Sequence, residues 1–349
     1  MAEKKYTSIG GQAVIEGVMM RSPHYLAVAV RKPDSRIVIR EMRWKGYGDR
    51  FPILKKPLLR GVVTLVESMV NGIEALSYSA NVAVANDPSA PVSKDGKKEE
   101  LSSWAMAGSI FFAFAMGMLI FVAAPHFLAV LLGRSGLFSS GVDNPVFHLV
   151  DGAIKVAFLV IYIYSISLMK DIYRVFQYHG AEHKSIYTFE NGEDLTVENA
   201  RKYTTLHPRC GTSFLLFLLV ISILVFSAVF PVINLMRFAV NPVLNHLCLV
   251  AVKIGLMFPV AGISYEFIRA SAARAKNPVC KALIWPGLML QKLTTREPAD
   301  DQLEVALASL KCVLMLEKTP SAYRGAEIEL AVLGEIARVP ATVAEFPEA

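Results

Sequence analysis

The stretch SFLLFLLVISILVFSAVFPVINLM, residues Ser213–Met236, runs for 24 positions without a charged side chain. A helix rises about 1.5 Å per residue, so a run of this length crosses a hydrocarbon core of about 30 Å. Three other long apolar runs lie at Trp104–Leu132, from Val150 to about Tyr173, and at Leu244–Ile268. The sequence therefore predicts a mainly α, polytopic membrane protein with four transmembrane helices.

The composition agrees with this fold class. Hydrophobic residues make up 54% of the 349 positions and the mean hydropathy is +0.42, whereas soluble chains are about 45–50% apolar. The two N-terminal lysines are not followed by an apolar segment, so we expect no cleavable signal peptide. The four cysteines are far apart and form no C-x-x-C pair, which argues against a disulfide scaffold and indicates a reducing compartment.

Basic residues in the short loops predict the orientation of the chain. The 133–149 and 237–243 loops contain one arginine each, whereas the 174–212 loop contains five Lys or Arg residues. Both terminal regions are also basic. Because Lys and Arg concentrate in cytoplasmic loops, we expect the N-terminus, the 174–212 loop and the C-terminus to be cytoplasmic.

Before the first predicted span, the sequence changes its period. Residues 24–43 alternate apolar and polar on both sides of Pro33-Asp34-Ser35, which predicts a β-hairpin. Residues 60–84 place apolar side chains at helical spacing, with Glu67, Asn71 and Glu74 on another face. This second pattern predicts an amphipathic helix that lies on the membrane rather than crossing it.

These segments divide the chain into five predicted regions. They are a glycine-motif and β-hairpin region at 1–60, the amphipathic helix at 60–84, a polar linker at 85–102, a four-helix membrane domain at 103–270 that includes the His-rich loop 174–212, and a helical cytoplasmic tail at 271–349. Within the tail, DDQLEVALASLKCVLMLE begins with the acidic residues typical of a helix start.

The N-terminal region is strongly basic. Residues 1–60 hold 13 Lys or Arg against 5 Asp or Glu, a local charge of +8. A basic segment beside a membrane favours contact with anionic lipid head groups, and a protein partner at this region is a second hypothesis. We expect no nucleic-acid partner, because the region has no RNA-binding motif with interleaved aromatic residues.

The stretch FQYHGAEHKSIYTFENGEDL, residues 176–195, contains the strongest chemical motif. In a helix, His179 and His183 are four residues apart and project from one face, with Glu182 beside them. Two imidazoles at this spacing can bind Zn²⁺, and a neighbouring carboxylate can act as the general base. The spacing H-x-x-E-H is also that of the inverzincin metalloproteases.

Further ligands are expected from LHPRCGTSF, where His207 and Cys210 precede the third predicted span. A closed His₃Cys shell would be structural, whereas three ligands with an open position would be catalytic. The sequence does not choose between them. The alternative is that the histidines bond only head groups or carbonyls and that Glu182 pairs with Lys184 or Arg174.

A second motif is IGGQAVIEGVMMRSP, residues 9–23. In a functional interpretation, Glu16 is a further metal ligand or base, Arg21 binds an anion, and Gln12 supports the site. We favour a structural interpretation, in which the glycines form a turn that seats the hairpin on the membrane domain. Two other residues are candidates for supporting the metal or binding an anion, namely Arg209 and Glu266.

The motifs GGQAVIEGVMMRSP, YHGAEHKSIYTFENGEDLT, LHPRCGTSF and LQKLTTREPADDQLEVALASL together resemble the YqhQ-like family of uncharacterised bacterial membrane proteins. The resemblance extends from Gly10 to about Leu310, and the tail beyond Thr319 lies outside it. It implies a multi-pass protein of the bacterial inner membrane and a predicted metal-dependent enzyme that uses the same histidines. By analogy with the inverzincins, the last metal ligand would be a downstream glutamate, for which Glu266 is the candidate.

Three functions are compatible with these patterns. The first is a zinc-dependent hydrolase at the cytoplasmic membrane face, acting on a peptide or a lipid head group. The second is a non-enzymatic membrane scaffold or biogenesis component with a structural metal or none. The third is a transporter that uses Lys253 and Glu266 on a polar path, and we rank it last because four spans without broken-helix repeats make a poor pathway.

Overall fold

The computed structural model of the protein describes residues 9–86, 103–136, 145–234, 242–274, 277–325 and 327–330. Within these ranges the chain is mainly helical, as predicted, and contains one five-stranded antiparallel sheet. The strands are β1 Gly10–Val14, β2 Gly17–Arg21, β3 Tyr25–Arg31, β4 Ile37–Arg43 and β5 Glu327–Leu330. The helices are α1 Tyr47–Arg50, α2 Leu59–Asn86, α3 Ser103–Met118, α4 Ala124–Arg134, α5 Pro145–Ser167, α6 Lys170–Glu190, α7 Val197–Arg201, α8 Gly211–Asn234, α9 Pro242–Ala273, α10 Pro278–Thr294 and α11 Asp300–Lys318.

The predicted hairpin is present as β3 and β4, with Ala29 opposite Ile39. It is not isolated, because the glycine motif forms β1 and β2 ahead of it and β5 pairs with β4 on the far side, in the order β1-β2-β3-β4-β5. The prediction of a single N-terminal hairpin is therefore wrong in extent. The predicted helical tail is likewise only partly helical, since α10 and α11 are followed by β5, and residues 331–349 of the tail lie outside the described residues.

The sheet is covered on both faces by helices. Alternate residues of a strand point to opposite sides, so Ala27 and Ala29 of β3 join α6 and α11 in one core. Leu26, Val28 and Val30 point the other way and pack with Ala75 and Tyr78 of α2. This arrangement explains why the central strands β2 and β3 are almost fully buried.

α11 has the acidic first turn expected from the sequence, at Asp300 and Asp301. It lies against β2, β3 and α6, and twelve of its 19 residues are buried. The apolar residues of this helix therefore pack in a hydrophobic core between the sheet and α6.

α2 is amphipathic, and two of the three residues on its predicted polar face are buried in the protein, whereas the third, Glu74, is exposed. Glu67 and Asn71 are 4% and 3% exposed, whereas Met69 and Leu76 are 58% and 48% exposed. In a water-soluble protein the apolar side of such a helix would be buried. The exposed apolar stripe of α2 therefore needs a non-aqueous neighbour.

Three helical segments of the described chain are long and apolar enough to cross a membrane. They are Ala107–Arg134, which comprises α3, a π-helical turn at Leu119–Ala123 and α4, then Val146–Ser167, and Gly211–Val229 within α8. In the most apolar 18-residue stretch of each segment, only 11–28% is buried inside the protein. Apolar helices with exposed apolar surfaces are compatible with a membrane protein.

The prediction of four spans is corrected to three candidates. The fourth predicted span, 244–268, lies within α9, which contains Lys253 and Pro259. Near its end, Glu266 is ion-paired with Arg60 of α2, and because such a pair is costly in hydrocarbon, this end of the helix lies outside it.

The end of the second predicted span is also corrected. The helix is interrupted at Leu168–Met169, where Met169 has an extended backbone (ψ 130°), and the next helix, α6, begins at Lys170. The span therefore ends at Ser167 rather than near Tyr173. The predicted polar linker 85–102 lies outside the described residues except for its first two positions, which end α2.

Candidate metal centre

α6 carries the two histidines of the H-x-x-E-H motif on one face. The ring centroids of His179 and His183 are 4.5 Å apart, as four-residue spacing on a helix requires. Gly180 lies between them, and a side chain there would meet the carbonyl oxygen of Arg296. Because glycine leaves this space, the segment after α10 docks directly on α6, where the Arg296 N–H donates to Phe176 O at 2.9 Å.

Cys210 completes a group of three. It lies in the turn before α8, and its Sγ is 3.2 Å from His179 Nε2. One ligand atom from each of His179, His183 and Cys210 lies within 4.8 Å of the other two. Two imidazole nitrogens and one sulfur form a donor set that suits Zn²⁺ and similar borderline cations.

Backbone carbonyls orient both imidazole rings. His179 Nδ1 is 2.8 Å from Thr294 O, and His183 Nδ1 is 2.5 Å from Thr205 O. Because a carbonyl only accepts, each Nδ1 carries the proton in this network, and each Nε2 keeps its lone pair. Metal-binding histidines have the same pattern, since the second nitrogen commonly donates to a carbonyl that fixes the ring.

His207, a predicted ligand, stands beside this group rather than in it. Its ring centroid is 5.5 Å from that of His183. The side-chain amide of Gln291 binds the backbone N–H and carbonyl of His207 by two hydrogen bonds of 2.8 Å. The ring Nε2 of His207 lies 3.5 Å from Glu190 Oε2. The structure thus brings together three of the four predicted ligands.

Burial favours the neutral form of the ligand His183 and of the neighbouring His207. Desolvation lowers the pKa of His183 and lowers the pKa of His207 from 6.5 to about 4. A metal binds neutral imidazole. At neutral pH these rings are therefore in the protonation state that a ligand needs.

Glu182 is buried next to the two histidines and is only 6% exposed. Desolvation raises the pKa of its carboxyl group, while His179 and His207 act in the opposite direction. Neither alternative ion pair forms, because Lys184 pairs with Glu297 and Arg174 pairs with Glu16. No group in the described part of the chain donates a hydrogen bond to the Glu182 carboxylate.

The N-terminal motif reaches this site through one glycine. A Cβ on Gly11 of β1 would lie 2.8 Å from Glu182 Cγ, so the strand packs directly against the carboxylate-bearing turn of α6. Gln12 does not touch the centre but lies against Gly72 of α2. The motif therefore forms part of the wall around Glu182, which is closer to the structural interpretation than to a ligand role.

The remaining predicted residues are held in ion pairs. Glu16 sits in the β1–β2 turn with φ 49° and binds Arg174 through two hydrogen bonds of 2.5 and 2.6 Å. Arg21 pairs with Glu67, Arg209 with Glu190, and Glu266 with Arg60. None of these residues belongs to the three-ligand group.

The residues that orient the ligands have little or no signal in the sequence. Thr205 and Thr294 act through their carbonyl oxygens, so their side-chain types carry no signal. Gln291 carries a weak signal, since it is a polar residue in the apolar helix α10 and is fully buried against His207 and Ser213.

Comparison with known proteins identifies the family. The family model described as "Protein of unknown function (DUF1385)" matches residues 56–316. The chain is 34% identical over 319 residues to "Uncharacterized protein YqhQ" of Bacillus subtilis (strain 168), an alignment that covers 88% of this chain and 92% of that protein. No solved structure matches the chain.

Proposed function

The chain belongs to the DUF1385 family of proteins of unknown function, and from that premise we propose that it is a metal-dependent hydrolase with its centre at His179, His183 and Cys210. One observation carries the proposal. Two imidazoles, each with its Nδ1 held by a backbone carbonyl, converge with a cysteine sulfur. Histidines that bind a metal are commonly oriented in this way, with the second ring nitrogen bound to a carbonyl.

The number of ligands favours catalysis. Three protein ligands leave a tetrahedral metal with an open position, which is the pattern of catalytic zinc sites. A bound Zn²⁺ would supply Lewis acidity at that position. The side chains of this group suit such an ion, because two imidazole nitrogens and one sulfur lie close enough together to bind it.

Glu182 is the proposed proton acceptor. Its carboxylate is next to His183 in sequence, is buried, and has no hydrogen-bond donor in the described part of the chain. In its ionised form, the Glu182 carboxylate can take a proton from a water that attacks the substrate. Because Gly11 has no side chain, β1 packs directly against Glu182.

The site lies at the join between the sheet domain and the apolar helices. Cys210 immediately precedes Gly211, the first residue of a candidate span, and α6 begins three residues after Ser167 ends another. This position supports a substrate at the membrane surface, such as a peptide or a lipid head group. We place it on the cytoplasmic face of the inner membrane on the basis of the basic loops.

A structural metal is the second candidate function, and burial favours it. His183 and Cys210 are only 2% and 7% exposed, and an ion there would tie α6 to the start of α8. The protein would then be a membrane scaffold or biogenesis component. The transporter hypothesis is weaker, because Glu266 is held by Arg60 rather than facing a polar path.

Metal content tests the proposal first. We expect about one metal ion per chain in protein purified without chelator and measured by elemental mass spectrometry. His183→Ala and Cys210→Ala should lose it. Cys280→Ala is the matched control, because Cys280 is a partly exposed thiol on α10 outside the group. Wild-type protein without metal, or full retention in Cys210→Ala, would contradict the proposal.

Glu182→Gln separates the two candidate functions. In a hydrolase this variant keeps the metal and loses hydrolysis of a panel of peptide and ester substrates, by about 100-fold or more. In a scaffold the wild type hydrolyses none of them, and Glu182→Gln changes neither metal content nor folding.

A further inference from the structure

An open surface depression of about 350 Å³, called the cavity below, lies at the end of α9 beside the start of α2, and none of the three metal ligands lines it. It is lined by Arg60, Glu266, Arg269, Ala270, Ala273 and Arg274. Three arginines against one glutamate make its wall strongly basic. This cavity is not part of the centre described above, because it contains none of its three ligands.

The one carboxylate among the lining residues, that of Glu266, is already in an ion pair. Glu266 accepts hydrogen bonds from Arg60 Nε at 2.6 Å and from Arg60 Nη2 at 2.5 Å, and it also accepts from the Leu58 N–H. Arg269 and Arg274 form no ion pair with a carboxylate in the described part of the chain. Two guanidinium groups are thus left to bind an anion at the cavity.

The surface next to the cavity is apolar. Between the charged residues Lys253 and Glu266 of α9, the side chains of Ile254, Phe258 and Ile263 are 61%, 59% and 40% exposed. Leu58 and Leu59, which directly precede the lining residue Arg60 in the chain, are both 44% exposed. The protein surface therefore changes from apolar to arginine-rich along one helix, as a bilayer changes from acyl chains to head groups.

The walls of the cavity are rigidly joined. A Cβ on Gly262 of α9 would lie 2.6 Å from Leu58 O, and one on Gly61 of α2 would lie 2.6 Å from Tyr265 Cβ. Leu58 itself has a left-handed backbone with φ 70°, which costs free energy and persists only where the surroundings hold it. The cavity is therefore preformed, so that a ligand would bind without a large ordering cost.

A basic and apolar segment extends the same surface. Phe51 and Ile53 are 51% and 59% exposed, and Lys55 and Lys56, which follow them, are also exposed. Exposed aromatic and aliphatic side chains interleaved with lysines are typical of contacts with a membrane interface. The exposed stripe of α2 continues this surface from Val66 to Leu76.

We propose that the cavity binds the phosphate of an anionic phospholipid through Arg269 and Arg274, with the acyl chains against the exposed apolar side chains of α9 and Leu58–Leu59. Charge complementarity selects this occupant, since a zwitterionic lipid would bring its own cation to the arginines. The proposal does not depend on the metal centre. It would stand if the hydrolase proposal failed.

Native mass spectrometry of the full chain in detergent tests the proposal, with dioleoylphosphatidylglycerol and dioleoylphosphatidylcholine as probes. We expect the wild type to prefer the anionic lipid by about tenfold or more, because each basic residue near a lipid surface contributes measurably. The double variant Arg269→Gln/Arg274→Gln should bind the two lipids about equally. The control Arg36→Gln/Arg201→Gln removes two exposed arginines elsewhere and should keep the preference.

Three results would overturn the proposal. They are equal binding of the two lipids by the wild type, an unchanged preference in the double variant, and displacement of phosphatidylglycerol by excess inorganic phosphate, which would indicate a site for a small anion. Circular dichroism reports whether the double variant folds. If it does not, the single variant Arg274→Gln is measured in the same way and should lose part of the preference.

Discussion

The sheet domain and the three candidate spans use apolar side chains in opposite ways. In α11, which belongs to the sheet domain, Leu307 is 0% exposed. In α3, which belongs to a candidate span, Phe111 and Phe114 are 74% and 69% exposed. Protein atoms surround the first kind of side chain, whereas the second needs lipid or detergent around it. Hydrophobicity alone therefore does not tell which part of this chain supplies its own core.

The metal centre lies where these two regions meet. α6 packs its residues Tyr178 and Phe189 into the sheet core, while Cys210 leads into the candidate span in α8. α10 joins them, because Gln291 binds both His207 O and Ser213 Oγ. The ligand geometry therefore depends on how the two regions dock.

The largest expected difference between the regions comes from truncating a core side chain. Leu307→Ala should lower the free energy of unfolding by about 2–5 kcal/mol, because it removes buried contacts and leaves a cavity. Phe111→Ala should change it by no more than about 0.5 kcal/mol, since its side chain has few protein neighbours. Chemical unfolding in detergent, followed by circular dichroism, measures both. Equal losses would mean that the span is as well packed as the sheet domain.

The pH dependence of stability should originate beside the metal centre, where the two regions meet. The pKa of His207 is lowered from 6.5 to about 4 by burial, so between these values the unfolded chain binds a proton that the folded chain does not. Stability is therefore fully present above pH 6.5 and is lost as the pH falls toward 4, by roughly 3 kcal/mol for this residue.

This dependence is measured on metal-free protein by unfolding at several pH values. His207→Gln should flatten the curve over this range, although His183, whose pKa is also lowered by burial, retains part of it. An unchanged slope in His207→Gln would contradict the assigned burial of the imidazole.

A smaller effect is expected from adding a methyl group to one glycine in each region. Gly180→Ala would place Cβ against the Arg296 carbonyl, and it should cost about 1–3 kcal/mol by overpacking. It should also weaken metal binding, because Thr294 O, which orients His179, is two residues from this contact. Gly108→Ala is the matched control, because nothing lies within 4 Å of its added Cβ.

In Gly108→Ala we expect a change of at most about 1 kcal/mol, toward higher stability, since alanine favours a helix. Metal content by elemental mass spectrometry and unfolding in detergent distinguish the two variants. If Gly180→Ala kept full metal content and stability, the segment after α10 would not hold α6 in place.

Local patterns in the sequence determined much of this protein. The turn at Pro33-Asp34-Ser35 with alternation on both sides predicted β3 and β4, and the run after Ser213 predicted the apolar helix α8. The four-residue spacing of His179 and His183 also predicted their common face. Each of these features depends on residues within a few turns or strand positions of one another, so periodicity alone specifies them.

Tertiary structure decided the features that join distant parts of the chain. β5 pairs with β4 although nearly 300 residues separate the two strands in the sequence. Arg60 forms an ion pair with Glu266, which is 206 residues away, and the carbonyl of Thr294 orients His179, which is 115 residues away. Cys210 rather than His207 meets the two histidines because Gln291 fixes the backbone between α7 and α8. Such contacts depend on how elements pack, and packing also decided that Glu67 and Asn71 of α2 are buried against the protein rather than exposed to solvent.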